Sequence, residues 1–142
     1  MEKSEIVILG VLVLLLNVIW EFSHFRLYID LTGIPKTQHL LIASFTDLIL
    51  ISLIFALNSF NQKSIKWIEK TKWIDYLFIV IMGTAIAAAI EIYSVGNGRW
   101  AYTELMPTIF GIGVSPLVQL FVTGILGLLL FNFLYKKLIS FH

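Results

Sequence analysis

Three carboxylates in this chain stand inside runs of apolar residues: Glu21, Asp47 and Glu91. A charge in such surroundings is costly unless it is paired or wet, so each is by default a candidate for function. The chemistry open to carboxyl groups held out of water is proton transfer, as general acid or general base. Asn17, Glu21 and His24 follow one another at i, i+4 and i+7, which places them within about 60° on one helix face. The candidate catalytic residues are therefore Glu21, His24, Asp47 and Glu91, with Glu21 and Glu91 as acid and base, His24 as a proton shuttle and Asp47 orienting a partner. The candidate binding residues are Asn17, Arg99, Tyr102 and Gln119. Arg99 stands just past a Gly96-Asn97-Gly98 turn, which gives it the freedom to fold back onto Glu91 or to hold an anionic headgroup.

The elements that must position these groups follow from the composition. The 142 residues are 58% hydrophobic and 13% charged, with mean hydropathy +0.90; a soluble domain is nearer a quarter charged. The fold expected is all-α, a single polytopic membrane domain over 1–142. Apolar runs place four transmembrane helices at about 6–27, 39–57, 75–95 and 116–135, each long enough to span. Residues 96–114 form a Gly- and Pro-punctuated connector at a membrane face. Ser115-Pro116 reads as N-cap and first helical residue of the last helix; the other reading is one long helix from Pro107, kinked at Pro116. Thr84, Ala87, Ala88 and Glu91 make a stripe on the third helix that is mostly small, which suits close packing in lipid and makes that helix the central one.

Lysine and arginine counts give an orientation. Lys3, Lys63, Lys66, Lys70, Lys72, Lys136 and Lys137 share one side, against Arg26, Lys36 and Arg99 on the other, so both termini are expected in the cytoplasm. Segment 62–74 mixes Lys with Trp67, Ile68, Trp73 and Ile74 and fits either an amphipathic piece at the inner headgroups or a basic loop with Trp anchors. Counted from the helix ends at 1.5 Å per residue, Glu21, Asp47 and Glu91 lie roughly 6–12 Å below the outer face, with Gln119 one turn into the last helix. One polar pocket in the outer half fits these depths, above an inner half that reads as almost wholly apolar.

Several classes of chemistry find no support. The net charge of +1 and the absence of a basic stripe argue against nucleic acid. With no cysteine there are no disulfides, thiolate metal sites or cysteine nucleophiles. Glu21-x-x-His24 is the spacing used twice in di-iron carboxylate bundles. It occurs once here and with Asp47 and Glu91 could make a mononuclear oxygen and nitrogen site. The other readings are an acid–base cluster and a purely structural polar knot, so no metal ligands are assigned and no cofactor is named. Gly111-x-Gly113 lacks the strand, lysine and spacing of a phosphate loop.

Trp20-Glu21-x-x-His24, Glu91, Gly98-Arg99-Trp100-Ala101-Tyr102, Met106-Pro107 and Ser115-Pro116-x-x-Gln119 together resemble a family of small four-helix bacterial integral membrane proteins. The resemblance spans nearly the whole chain and implies a multi-pass protein of the bacterial inner membrane; it carries no catalytic residues with it. A fainter similarity is to the integral-membrane lycopene cyclases, which would imply carboxylate-driven protonation of a polyene. The Pro-x-Glu-Glu segment of those enzymes is replaced here by Ser115-Pro116-Leu117-Val118-Gln119. The function expected is acid/base chemistry on a lipid or isoprenoid, with the lipid bilayer as partner. The alternatives are a small ion- or proton-coupled carrier and a non-catalytic accessory subunit whose polar cluster fixes helix register.

Overall fold

The computed structural model describes residues 3–139. Four helices dominate: α1 (Lys3–His24), α2 (Lys36–Asn61), α3 (Trp73–Gly96) and α4 (Val114–Ile139). Each is long and apolar enough to cross a membrane. α2, α3 and α4 extend beyond the expected limits at both ends, whereas α1 starts earlier than expected and ends at His24, where a 3₁₀ turn, Phe25–Leu27, takes over. α2 begins at Lys36, directly after Pro35, whose ring disfavours a helical residue before it.

α4 starts afresh after α3, so the continuous kinked helix from Pro107 does not exist. Its first residue is Val114, however, which places Ser115 inside the first turn and not at the N-cap; the Ser115 hydroxyl is buried without a hydrogen-bond partner. Pro116 still falls in that turn, where a missing N–H leaves no intrahelical bond unmade.

The chain is mostly helical, as the all-α reading expects, and the connectors add two short strand pairs. β1 (Tyr28–Asp30) pairs antiparallel with β2 (Trp100–Tyr102), in the register Tyr28↔Tyr102 and Asp30↔Trp100. Two flanking bonds lengthen this ladder, Leu31 N–H to the Arg99 carbonyl at 3.1 Å and Thr103 N–H to the Leu27 carbonyl at 3.0 Å. β3 (Thr108–Ile109) and β4 (Ile112–Gly113) form a hairpin that runs straight into α4. Its two-residue turn has φ 51° at Phe110 and 79° at Gly111, the double positive φ of a type I′ turn.

α1 packs on α2 and α4, and α3 packs on α4, whereas the sequence neighbours α2 and α3 touch little. α4, rather than α3, is the most enclosed helix. Close approach depends on missing side chains: a Cβ at Gly83 would stand 3.1 Å from the Phe121 backbone nitrogen on α4. The apolar core of Val13, Ile51, Ile54, Ile79, Leu128 and Phe131 fills the half of the bundle away from the strands.

That half is less uniformly apolar than its sequence reads. Asp75, in the first turn of α3, is fully buried and accepts from Asn58 Nδ2 at 2.9 Å, Gln62 Nε2 at 2.7 Å and the Lys72 N–H at 2.8 Å. Segment 62–74 holds a 3₁₀ turn, Ile65–Ile68, whose Trp67 and Ile68 are core residues. Trp67 donates its indole N–H to Ser59 Oγ at 2.8 Å. Of the four apolar residues expected at the headgroups, Trp73 and Ile74 lie exposed and Trp67 and Ile68 do not; the segment's lysines are exposed.

Candidate functional site

α3 ends in a Schellman arrangement, with Arg99 N–H on the Ser94 carbonyl and Gly98 N–H on the Val95 carbonyl. Gly98 takes φ 66° there, a conformation that glycine adopts without strain. The chain therefore turns back over the helix it has just left and enters β2. Strand periodicity then sets Trp100 and Tyr102 on one face. Both reach Glu91: the Tyr102 hydroxyl donates to Glu91 Oε2 at 2.5 Å and the Trp100 indole N–H to the same oxygen at 3.2 Å. Register places Tyr28 and Asp30 opposite them. Tyr28 meets Trp100 edge-on, with ring centroids 6.4 Å apart.

The second carboxyl group forms where α1, α2 and α4 meet. Gln119 Nε2 donates to Glu21 Oε1 at 2.6 Å and to Asp47 Oδ2 at 2.6 Å. The Glu21 and Asp47 carboxyls are thereby held side by side on one amide nitrogen. Beneath them Asn17, fully buried, donates to the Val13 carbonyl and accepts from Thr123 Oγ1 at 3.2 Å and, more weakly, from Gln119 Nε2 at 3.4 Å.

A cavity of about 560 Å³ connects the two groups. It occupies the gap between α2 and α3, with Glu21 and Gln119 at its back and Tyr28, Asp30, His39 and Trp100 along its strand-covered end. Ile42 and Thr46 line it while lying exposed on the outer surface of α2, so it reaches the flank of the bundle. Apart from the carboxyls its walls are mostly apolar, with Leu50, Ile90 and Leu120 among them.

The structure thus brings Asn17, Glu21, Asp47 and Gln119 into one hydrogen-bonded cluster, with Glu91 on the facing helix and its partner Tyr102 on β2. Two candidates stand apart from this. His24 does not line the cavity: its ring stacks on Trp20 at 4.4 Å and its Nδ1 bonds the Trp20 carbonyl at 3.0 Å, at the C-terminal end of α1. Arg99 lines the cavity but does not fold back onto Glu91; its guanidinium lies 5.8 Å from the Trp100 ring. Its backbone is spent on the Schellman turn and the strand, which aims the next residue, Trp100, at Glu91 instead.

One pair emerges that sequence reasoning did not assign. His39 Nδ1 bonds Asp30 Oδ2 at 2.5 Å, and both residues line the cavity. Burial tends to push Asp30 up, but the Thr32 N–H and hydroxyl and His39 outweigh it and hold Asp30 below its usual value. Tyr28 is pushed well above the ordinary phenol range, first by burial and then by the surrounding Glu91 and Glu21. Alternation of Tyr28 and Asp30 was the available signal, but three residues are too short a run to read as a strand. Among the described residues no set of three His, Cys, Asp or Glu side chains converges on a metal position. Compared with known proteins, the chain matches no family profile, no curated protein and no solved structure.

Proposed function

We propose that this chain is a four-span protein of a bacterial inner membrane, with cytoplasmic termini, that carries out acid/base chemistry on a lipid or isoprenoid entering between α2 and α3. The observation that carries this reading is the Gln119 amide bridging Glu21 and Asp47 inside a cavity open on the flank of the bundle. A cavity of this size suits a small organic ligand, and a lateral mouth suits one that arrives through hydrocarbon. A proton carried by Glu21 or Asp47 is within reach of a substrate atom placed above them. Glu91, held from the opposite helix by Tyr102 and Trp100, is placed to accept a proton from a neighbouring atom. Donation on one side and removal on the other moves a double bond or enolises a carbonyl with no external oxidant or reductant.

The carrier reading is weaker, since Val13, Ile54, Leu128 and Phe131 are packed shut below the cluster and leave no polar path through one copy. Lipid extracts of cells expressing the wild type, Asp47→Asn and Glu91→Gln should decide. The expected result is a lipid species that changes with the wild type and not with either variant, at equal membrane levels of protein. Identical extracts, with altered proton or ion flux in vesicles, would transfer the assignment to the carrier. Identical extracts and fluxes, with lowered melting temperatures for both variants, would leave a structural cluster.

A further inference from the structure

The charge inside the cavity is unbalanced. Glu21, Asp47 and Glu91 all line it, and their hydrogen-bond donors are neutral groups of Gln119, Trp100 and Tyr102. Among the described residues none of the three carboxyls forms an ion pair. Four carboxylates (Asp30 with these three) line the cavity against two permanent cations, Lys36 and Arg99. Those two turn to aromatic faces, Lys36 Nζ to Phe25 at 3.1 Å and Arg99 to Trp100 at 5.8 Å from the ring centroids. Neither lysine nor arginine is thus paired with the three carboxyls, and a desolvated carboxylate attracts a cation far more strongly than one in water.

The rest of the cavity says what kind of cation fits. A bare metal ion finds no three convergent ligands among the described residues. The rings of Tyr28 and Trp100 stand in the wall beside the carboxyls, and such faces attract organic ammonium groups. The apolar side walls continue to the flank at Ile42, where a hydrocarbon chain would pass into lipid. An anionic headgroup at the same depth would meet three carboxyls of its own sign.

We infer that the cavity binds a single-chain lipophilic amine, with its ammonium group among Glu21, Asp47 and Glu91 and its chain along the apolar walls between α2 and α3. This rests on reading the cavity as a lipid site, and it names the class of molecule that site selects. The test uses the full chain in phosphatidylcholine nanodiscs, titrated with dodecylamine, dodecanol and dodecyl phosphate, and read by tryptophan fluorescence through Trp100. Dodecylamine should bind saturably, and the alcohol and the phosphate should bind roughly tenfold more weakly or worse. Equal affinity for dodecanol or for dodecyl phosphate overturns the inference. Asp47→Asn and Glu21→Gln should each weaken dodecylamine by about tenfold while leaving dodecanol unchanged; unchanged dodecylamine affinity in both also overturns it. If neither variant folds, the ligand series on the unaltered chain decides alone. Amine selectivity with unchanged cellular lipids keeps the inference and removes the enzymatic reading, whereas changed lipids without amine selectivity do the reverse.

Discussion

Gln119 shows how much one side chain settles at this site. Its amide nitrogen stands 2.6 Å from carboxyl oxygens on two different helices, with the Asn17 amide oxygen a weaker third partner at 3.4 Å. A lysine there would neutralise the pair; an amide ties Glu21 to Asp47 and leaves their charge available to a ligand. Tyr102 does the comparable work for Glu91 from outside the helices. Burial first, then its hydrogen bond to Glu91, push its hydroxyl up to about 12, against about 10 for a free phenol. The folded chain therefore holds this proton more tightly than the unfolded one. The associated stability is fully present below about pH 10, and it is lost as pH rises through the folded value. Subtracting a spectrophotometric tyrosinate titration of Tyr102→Phe from that of the wild type should leave a component near pH 12. A component near 10 would show that the phenol is free of Glu91. The types and helical spacing of Asn17, Glu21 and Gln119 were readable as candidates. That Trp100 and Tyr102, and not Arg99, hold Glu91 was not, because it depends on a turn geometry and a strand register that no local pattern encodes.

At the scale of elements, small residues decide where helices meet. A Cβ at Gly127 of α4 would lie 2.6 Å from Val13 Cγ2 on α1, and valine is stiff at χ1 and cannot swing aside. Gly127→Ala gains about 1 kcal/mol of helix propensity, while overpacking costs about 1–3 kcal/mol. The expected result is a net loss of roughly 1 kcal/mol, read from unfolding in detergent. In a Val13→Ala background the same change should become neutral or stabilising, and a stabilising Gly127→Ala in the wild type would disprove the close α1–α4 contact. The β1–β2 ladder is the other deciding element. It ties together two connectors some 70 residues apart and sets Tyr28, Asp30, Trp100 and Tyr102 over the same end of the bundle. Three-residue strands carry almost no periodic signal, which is why segment 96–114 reads from the sequence only as a punctuated connector.

At the scale of the whole molecule, the seven-to-three division of Lys and Arg between the two ends predicts a cytoplasmic N-terminus. The chain has no native cysteine, so single-cysteine labelling is clean. In intact spheroplasts a membrane-impermeant maleimide should label Glu104→Cys and spare Asn61→Cys until the membrane is opened; the opposite pattern would invert the topology. Four apolar runs separated by polar, Gly- and Pro-bearing segments determine by themselves that there are four long helices, because length and hydropathy act locally. They also determine that Glu21, Asp47, Glu91 and Gln119 lie toward one end of those helices, since depth is a matter of counting residues from the helix ends. Which helices pack together is decided only in three dimensions. The gap between α2 and α3, the enclosure of α4 and the buried Asp75 cluster at the other end arise from side-chain fit between segments far apart in sequence. The same holds for the stretch from Glu91 to Gln119: its residues announce a site, but the cavity exists because α1 and α2 bring Glu21 and Asp47 to meet it.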